Sequence, residues 1–141
     1  MEIMENRFKI ITIVYNSPNG IKKCIDSVVG QTYKKWQLMI VDDASTDHTT
    51  QVLSLVSNVR VVRNTRNMGF VDGCNAGAAQ ARGDSLLFLN NDALVTAGWL
   101  APLQRLLDQD DACGAVGPKL VYPDGRLQEA GGIVWRDGNA W

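Results

Sequence analysis

The 141-residue sequence lacks the features that mark several common protein classes. Its three cysteines are widely separated and form no CxxC pair, so neither a disulfide framework nor a zinc site is indicated. Fourteen basic residues balance fifteen acidic ones, which leaves a net charge of -1 and no electrostatic footprint for nucleic acid. The apolar runs are too short to span a bilayer, and the N-terminus lacks signal-peptide architecture. These absences predict a protein of the reducing cytoplasm.

Several motifs of phosphate binding and nucleophilic catalysis are also absent. There is no GxGxxG after the first apolar run, no GxxxxGK[ST] and no GxSxG. These absences argue against a dinucleotide-dependent dehydrogenase, a P-loop enzyme and an α/β-hydrolase. The single histidine, His48, follows an aspartate near a predicted helix start and is assigned no catalytic role. What the sequence does contain is 45% hydrophobic residues, enough for the core of one domain over residues 1–141.

Apolar, β-branched segments alternate along the chain with segments of helical spacing. The predicted strands are Arg7–Tyr15, Trp36–Val41, Val59–Val62, Ser85–Leu89 and Ala115–Val121, and an extended pattern resumes at Ile133–Trp135. Three predicted helices run from Ile21 to Gly30, over Val71–Arg82 and over Gly98–Leu107. A further predicted helix follows the second strand, with Ser45 or Thr46 as its cap and Val52, Leu55 and Val56 among its apolar positions. This order predicts an α/β fold with a mostly parallel sheet and helices on both faces.

Polar clusters follow four of the predicted strands. They are Tyr15-Asn16, Asp42–Ser45, the loop Asn64–Gly69, and Asn90-Asn91-Asp92. The carboxyl ends of parallel strands share one sheet edge, so these clusters predict a pocket for a polar, phosphorylated ligand. Because no phosphate cradle is present, such a ligand needs a metal. The last cluster follows Leu86–Leu89, which favours a strand buried on both faces, and by itself fits an Asx turn or a divalent cation site equally well.

Several motifs, in order along nearly the whole chain, resemble glycosyltransferase family 2, an inverting family with the GT-A fold. The matching segments are Ile11–Asn16, Ser27–Tyr33, Val41–Asp47, Asn67–Phe70, Asn75–Gly77, Ala81–Asp84 and Asn90–Asp92. The last of these occupies the D-x-D position of the family. The variants at Asn67–Phe70 and Asn90–Asp92 resemble those of rhamnosyltransferase-type members, which suggests dTDP-rhamnose as the donor.

The resemblance implies a role for individual residues in binding a nucleotide-diphospho-sugar donor. Asp43 is expected to hydrogen-bond the base, with Tyr15 packed nearby, while Asn67, Gly69 and Asn91 lie along the donor. Asp92 is expected to bind Mg or Mn that bridges the diphosphate. The sequence departs from the D-x-D pattern at Asn90, whose amide oxygen is the weaker of the two predicted metal ligands. Tyr15 could instead be an aromatic residue at the edge of the core.

The resemblance also implies that a further segment is needed. An inverting transfer requires a general base, and in the family this acid follows the D-x-D region. We expect the base beyond Trp141, since nothing in the context of Asp137 marks it as one. The chain is therefore expected to be the donor-binding part of a longer enzyme, peripheral at the inner membrane face, that acts on a glycan or lipid-linked acceptor. The sheet edge that the missing segment exposes could be covered by a second copy.

Two alternatives remain open from the sequence. In the first, this chain binds nucleotide but catalyses nothing. In the second, it is a sugar nucleotidyltransferase, which has a similar sheet but usually carries a glycine-rich phosphate loop after the first strand. The segment Asn16–Gly20 matches such a loop poorly.

Overall fold

The computed structural model describes residues 7–131. The chain divides into two compact units, Met1–Ala97 and Gly98–Trp141, and each unit is described by itself. The second predicted extended pattern, Ile133–Trp135, lies outside the described residues.

The first unit is a four-stranded parallel sheet with three helices. Its strands are β1 (Phe8–Val14), β2 (Trp36–Asp42), β3 (Arg60–Arg63) and β4 (Ser85–Phe88), and its helices are α1 (Pro18–Val29), α2 (Thr49–Ser54) and α3 (Phe70–Gln80). The strand order is β3-β2-β1-β4, and every neighbouring pair is parallel. The alternation of strands and helices that the sequence predicts is confirmed over these seven elements.

The strand register brings the polar clusters to one edge of the sheet. Val14 at the end of β1 lies opposite Asp42 at the end of β2, and Asp42 lies opposite Arg63 at the end of β3. At the other edge of β1, Ile11 pairs with Phe88 at the end of β4. The loops that follow all four strands therefore leave the sheet at its carboxyl edge, where open α/β sheets bind ligands.

Helix α3 packs on one face of the sheet through its glycines. Gly77 lies so close to the sheet that an added Cβ would be 2.6 Å from Ile11 Cγ2 and 3.3 Å from Val41 Cγ2. A Cβ on Gly73 would be 3.0 Å from Ile13 Cγ2. Ile11, Ile13 and Val41 form the buried cluster beneath this helix. The small residues thus allow the helix backbone to approach the strands directly.

Helix α1 lies over the opposite face of β1. Its buried residues are Ile21, Cys24, Ile25 and Val28, which recur at helical spacing. Cys24 lies close to the buried Thr12, whose side chain alternates in direction with those of Ile11 and Ile13. The sheet of this unit is therefore covered on both faces, as predicted.

Helix α2 differs from its predicted form. It begins at Thr49, and neither Ser45 nor Thr46 caps it. Its buried residues are Thr49 and Leu53, whereas Leu55, expected on its apolar side, is 86% exposed. The helix ends at Ser54, so Leu55 and Val56, which the sequence places on its apolar side, lie beyond it, and that part of the prediction is wrong.

The expectation that β4 is buried on both faces is also wrong for the described residues. β4 is the outer strand of the four-stranded sheet and pairs only with β1. Leu86 is 45% exposed and Phe88 is 51% exposed, because α3, which lies on the same face of the sheet, packs mainly against β1 and β2 and leaves β4 largely uncovered. A continuous apolar run therefore marks this strand but does not report its position in the sheet.

The second unit contains helix α4 (Leu100–Gln109) and a hairpin of β5 (Leu120–Val121) and β6 (Leu127–Glu129). The predicted fifth strand, Ala115–Val121, shortens to two residues and pairs antiparallel with β6, so its expected place in a parallel sheet is wrong. The reason is local, since the Pro123-Asp124-Gly125 turn folds the chain straight back. No helix within residues 7–131 is both long and apolar enough to cross a membrane.

Candidate functional site

The loops that follow β1 and β2 are joined by hydrogen bonds. The Asn16 side-chain oxygen accepts a bond from Thr46 N at 2.8 Å, and Asn16 N donates to Ser45 Oγ at 3.1 Å. Ser17 N donates to Thr49 Oγ1 at 3.0 Å. Asn16 adopts a left-handed backbone conformation (φ 48°), which asparagine tolerates better than most residues. These bonds fix the two loops relative to each other at the carboxyl edge.

Asp42 is a buried anchor beneath the β2 loop. Its side chain is 1% exposed, Oδ1 accepts a bond from Ser45 N at 2.9 Å, and Oδ2 lies 3.3 Å from the Arg63 guanidinium. Thr50 Oγ1 donates to the same Oδ2 at 3.3 Å. Because both carboxylate oxygens are engaged by the protein, Asp42 supports the loop rather than facing a ligand.

The adjacent Asp43 carboxylate holds the loop that follows β3. It is 2% exposed, and it accepts bonds from Asn64 Nδ2 (2.7 Å), from Met68 N (3.0 Å to Oδ1) and from Gly69 N (2.9 Å to Oδ2). Burial by itself raises the pKa of Asp43, but the hydrogen bonds from Asn64, Met68 and Gly69 together lower it below its usual value. The carboxylate is thus a fixed anion at neutral pH.

Asn67 and Gly69, predicted to lie along the donor, flank this carboxylate. Gly69 has a positive φ of 81°, which favours glycine, and it stands directly before the first residue of α3. Asn67 Oδ1 accepts a bond from Gly69 N at 3.0 Å. The structure therefore brings Asp43, Asn67 and Gly69 together in one group. Tyr15 follows the last residue of β1 at the same edge, and its side chain is 46% exposed.

The Asn90-Asn91-Asp92 segment forms a turn immediately after β4. The turn closes with a bond from Ala93 N to Asn90 O at 3.1 Å, which leaves Asn91 and Asp92 at its two central positions. The Asn91 side-chain nitrogen donates to Ile13 O at 2.8 Å. Asn90 and Asp92 are exposed, whereas Asn91 is half-buried. The tip is thus an Asx-rich turn whose outermost carboxylate faces solvent.

A buried thiol lies beneath this turn. Cys24 Sγ donates to Asn90 O at 3.5 Å. Burial, followed by the charge of Asp92, raises the pKa of Cys24 to about 11, against a smaller opposing effect of the nearby Thr12 hydroxyl. A thiol with such a pKa is protonated at neutral pH and is a poor nucleophile. Cys24 therefore packs beneath the turn and is not a catalytic nucleophile.

The donor atoms at the turn suit a cation that brings most of its own ligands. Within residues 7–131, no three His, Cys, Asp or Glu side chains gather closely enough to hold a metal. Asp92 offers one exposed carboxylate, and Asn90 offers an amide oxygen beside it. Mg²⁺ is commonly bound by one or two carboxylates together with water and substrate phosphates. The residues present therefore fit a metal that arrives with a diphosphate, and they do not fit a preformed protein cage.

Sequence reasoning missed the residues that join the loops. The sequence predicts Asn16 and Ser45 in polar clusters, Ser45 also as a possible helix cap, and Asn64 at the start of a loop, but it predicts no role for Arg63. Each of them bonds to a residue at least 18 positions away. The one available signal was their shared position directly after a strand. No sequence pattern names the partner of each.

The chain is similar to known glycosyltransferases over most of its length. It is 34% identical to the O-antigen biosynthesis protein RfbC of Myxococcus xanthus, across 95% of this chain and 11% of that protein. It is 32% identical to the hyaluronan synthase of Pasteurella multocida, across 92% of this chain and 14% of that protein. The chain thus spans about one-eighth of the length of these relatives.

A solved structure has the same fold. The mannosyltransferase PcManGT of Pyrobaculum calidifontis, in complex with GDP-Man and Mn2+, is 26% identical and superposes with a TM-score of 0.70, across 84% of this chain and 36% of that one. The expected GT-A architecture is confirmed by this similarity and by the parallel sheet. The family model described as "Glycosyl transferase family 2" matches residues 9–136. Since this match covers nearly all of its length, the chain belongs to glycosyl transferase family 2.

Proposed function

We propose that this domain binds a nucleotide-diphospho-sugar together with Mg or Mn at the carboxyl edge of its sheet. In the full-length enzyme, the bound sugar is transferred with inversion to a glycan or lipid-linked acceptor. The observation that carries the proposal is the pairing of two sites on one edge. One is the ordered anion Asp43 with its glycine loop, and the other is the exposed carboxylate Asp92 on a fixed turn.

The spacing of the two sites suits a nucleoside diphosphate. Asp43 follows β2 and Asp92 follows β4, and the two strands are separated by β1 alone. Neighbouring strands lie about 4.8 Å apart, so the two strand ends are separated by roughly 10 Å. This separation matches a ligand whose base binds at one end and whose diphosphate binds at the other.

The residues divide into a nucleoside group and a metal group. Asp43 orders the loop beside which the base binds, since its two oxygens accept bonds from Asn64, Met68 and Gly69, and Tyr15 packs against the base. Asn67 and Gly69 line the path of the donor, where the absence of a side chain at Gly69 lets the ligand approach the backbone. Asp92 and Asn90 hold the metal, which supplies neutralisation of the charge that develops on the leaving nucleoside diphosphate.

The remaining step of the reaction requires a general base. The acceptor hydroxyl oxygen attacks the anomeric carbon from the face opposite the diphosphate. The carbon–oxygen bond to the diphosphate breaks, and the hydroxyl proton passes to a general base. We expect this base beyond Trp141. The relatives, of which this chain matches a small part, are consistent with that expectation.

Two relatives support the donor and the acceptor class. The Pyrobaculum calidifontis mannosyltransferase was solved with GDP-Man and Mn2+, which supports a nucleotide-sugar and a divalent metal here. The name of the Myxococcus xanthus relative, an O-antigen biosynthesis protein, supports a glycan or lipid-linked acceptor. The resemblance of the Asn67–Phe70 and Asn90–Asp92 variants to rhamnosyltransferases favours a dTDP-sugar as donor.

Calorimetric titration of the 141-residue chain tests the proposal. We expect UDP, dTDP or GDP to bind more tightly with Mn²⁺ than without it. Asp92→Ala should reduce the gain in nucleotide affinity that Mn²⁺ provides by roughly tenfold or more, because loss of a contact that supports a metal already costs that much. Asp26→Ala is the matched control, because it removes an exposed carboxylate whose partner is Lys22 on α1. Absence of binding for every nucleotide under both conditions would overturn the proposal.

A further inference from the structure

We infer that Asn91 is a positioning residue, whose side-chain amide holds the metal-binding turn in place by bonding to the end of β1. The inference rests on the proposed function of Asp92 as a metal ligand. It gives Asn91 an indirect part in donor binding, through the backbone of the turn.

The hydrogen-bond ladder between β1 and β4 carries the argument. Its last backbone rung runs from Leu89 N to Ile11 O at 3.0 Å. In a parallel ladder, bonds donated from the same strand recur every two residues, so the next one from this side would join Asn91 N to Ile13 O. The Asn91 side-chain nitrogen, at 2.8 Å, bonds to Ile13 O instead. The side chain therefore replaces a backbone rung at the point where the chain leaves the sheet.

The neighbouring backbone carbonyl belongs to the turn and not to the sheet. Asn90 O accepts the bond from Ala93 N that closes the turn, and it also accepts a hydrogen bond from the Cys24 thiol. Two residues later, Val95 N donates to Ser27 Oγ on α1 at 3.2 Å. The Asn91 amide is the contact that joins the centre of the turn to the sheet, next to Asp92.

The first turn of α1 closes the other side. A Cβ on Gly20 would lie 3.3 Å from Asn91 O and 2.6 Å from Ser17 Oγ, so the helix backbone packs directly against the turn. Asn91 is thus confined between β1 and α1 while Asp92, the adjacent residue, stays exposed. Support of this kind, in which a neighbouring hydrogen bond orients a metal ligand, is worth about 10–100-fold in metal affinity.

The contact requires a donor, which distinguishes asparagine from its isostere. An aspartate at position 91 would bring a carboxylate oxygen to the Ile13 carbonyl, where both atoms are acceptors and repel each other. Asn91→Asp preserves the volume and removes the donor, whereas Asn91→Ala removes both. If the bond to Ile13 holds the turn, both variants should loosen it.

Amide hydrogen exchange of the metal-free chain is the first test. We expect exchange at Ala93 and Val95 to accelerate by about three- to tenfold in Asn91→Ala and Asn91→Asp, the loss that one hydrogen bond predicts. Gln80→Ala is the control, because it removes a side-chain amide at the far end of α3, where it bonds Arg60. Unchanged exchange at Ala93 and Val95 in both variants would overturn the inference, whether or not the chain binds nucleotide.

Manganese binding in the presence of the nucleoside diphosphate is the second test. We expect Asn91→Ala to weaken Mn²⁺ binding by about tenfold or more while Gln80→Ala leaves it unchanged. Wild-type chain that binds no nucleotide would refute the proposed function, and the exchange experiment still decides the role of Asn91. Wild-type binding that Asn91→Ala leaves intact would refute the positioning role alone.

Discussion

The close approach of α3 to the sheet gives a prediction whose size follows from the distances. In Gly77→Ala, the new methyl group would lie 2.6 Å from Ile11 Cγ2, whereas carbon atoms in contact prefer about 3.5–4.0 Å. Ile11 is fully buried in β1 and cannot turn aside, so the helix must move by about 1 Å. Overpacking of this kind costs about 1–3 kcal/mol.

An opposing effect must be subtracted. Alanine is favoured over glycine inside a helix by about 1 kcal/mol. Since the steric overlap is large and the neighbouring residue lies in a strand, we use the upper end of the range for overpacking. The expected net loss is about 2 kcal/mol in the free energy of unfolding. For a chain of this size, that loss lowers the thermal midpoint by about 4–8 °C.

Thermal and urea unfolding of three glycine variants checks this expectation. Gly73→Ala should be nearly neutral, because its methyl would lie 3.0 Å from the Ile13 side chain, which leaves a smaller overlap for the helix preference to offset. Gly114→Ala is the control, since a Cβ there meets no atom within 4 Å. The order of destabilisation should be Gly77→Ala, then Gly73→Ala, then Gly114→Ala. A Gly77→Ala variant as stable as the wild type would refute the packing argument.

A double-mutant cycle locates the cause of the destabilisation. Ile11→Ala removes the Cγ2 atom that the new methyl would meet and leaves a cavity in its place. In the double variant with Gly77→Ala, the methyl group on the helix enters this space. The double variant should therefore lose less free energy of unfolding than the two single variants lose in sum. Additive costs would mean that Gly77→Ala acts by some route other than contact with Ile11.

Two further predictions concern buried charges. Asp43→Asn should destabilise the chain by about 1–3 kcal/mol, because the amide nitrogen that replaces one carboxylate oxygen would face another donor, either Asn64 Nδ2 at the Oδ1 position or Gly69 N at the Oδ2 position. Because the pKa of Asp43 is lower in the folded chain, its ionised carboxylate stabilises the fold above the unfolded pKa, and this stabilisation is lost as the pH falls below that value. Urea midpoints measured from pH 5 downward should therefore fall with pH in the wild type, and Asp43→Asn should lack this contribution to the fall. Lys9 is 3% exposed, and burial, followed by the charge of Arg60, lowers its pKa. The unfolded chain therefore binds more protons, stability should rise as pH approaches 10.5, and Lys9→Met should abolish this rise and increase stability at pH 7. If Lys9→Met were less stable than the wild type at pH 7, the argument about Lys9 would be wrong. If Asp43→Asn kept the acid slope of the wild type, the argument about Asp43 would be wrong.

The elements of the first unit were predictable because their signals are local. β-branched runs such as Phe8–Val14 and the helical spacing of Ile21, Cys24, Ile25 and Val28 depend on neighbours within one or two turns. The exposure of Leu86, Phe88 and Leu55 was not predictable in this way. It depends on which element lies over each residue, and periodicity carries no information about that.

The candidate site divides along the same line. The sequence by itself determined which residue types stand at the strand ends, and hence that Asp43, Asn67, Gly69 and Asp92 are candidates for one pocket. Only the tertiary structure decided their partners: Asp43 with the backbone of the β3 loop, and Asn91 with Ile13, 78 residues away. A strand end is fixed by short-range chemistry. The partner of a hydrogen bond is fixed by the register of the sheet, which forms only when distant segments pair.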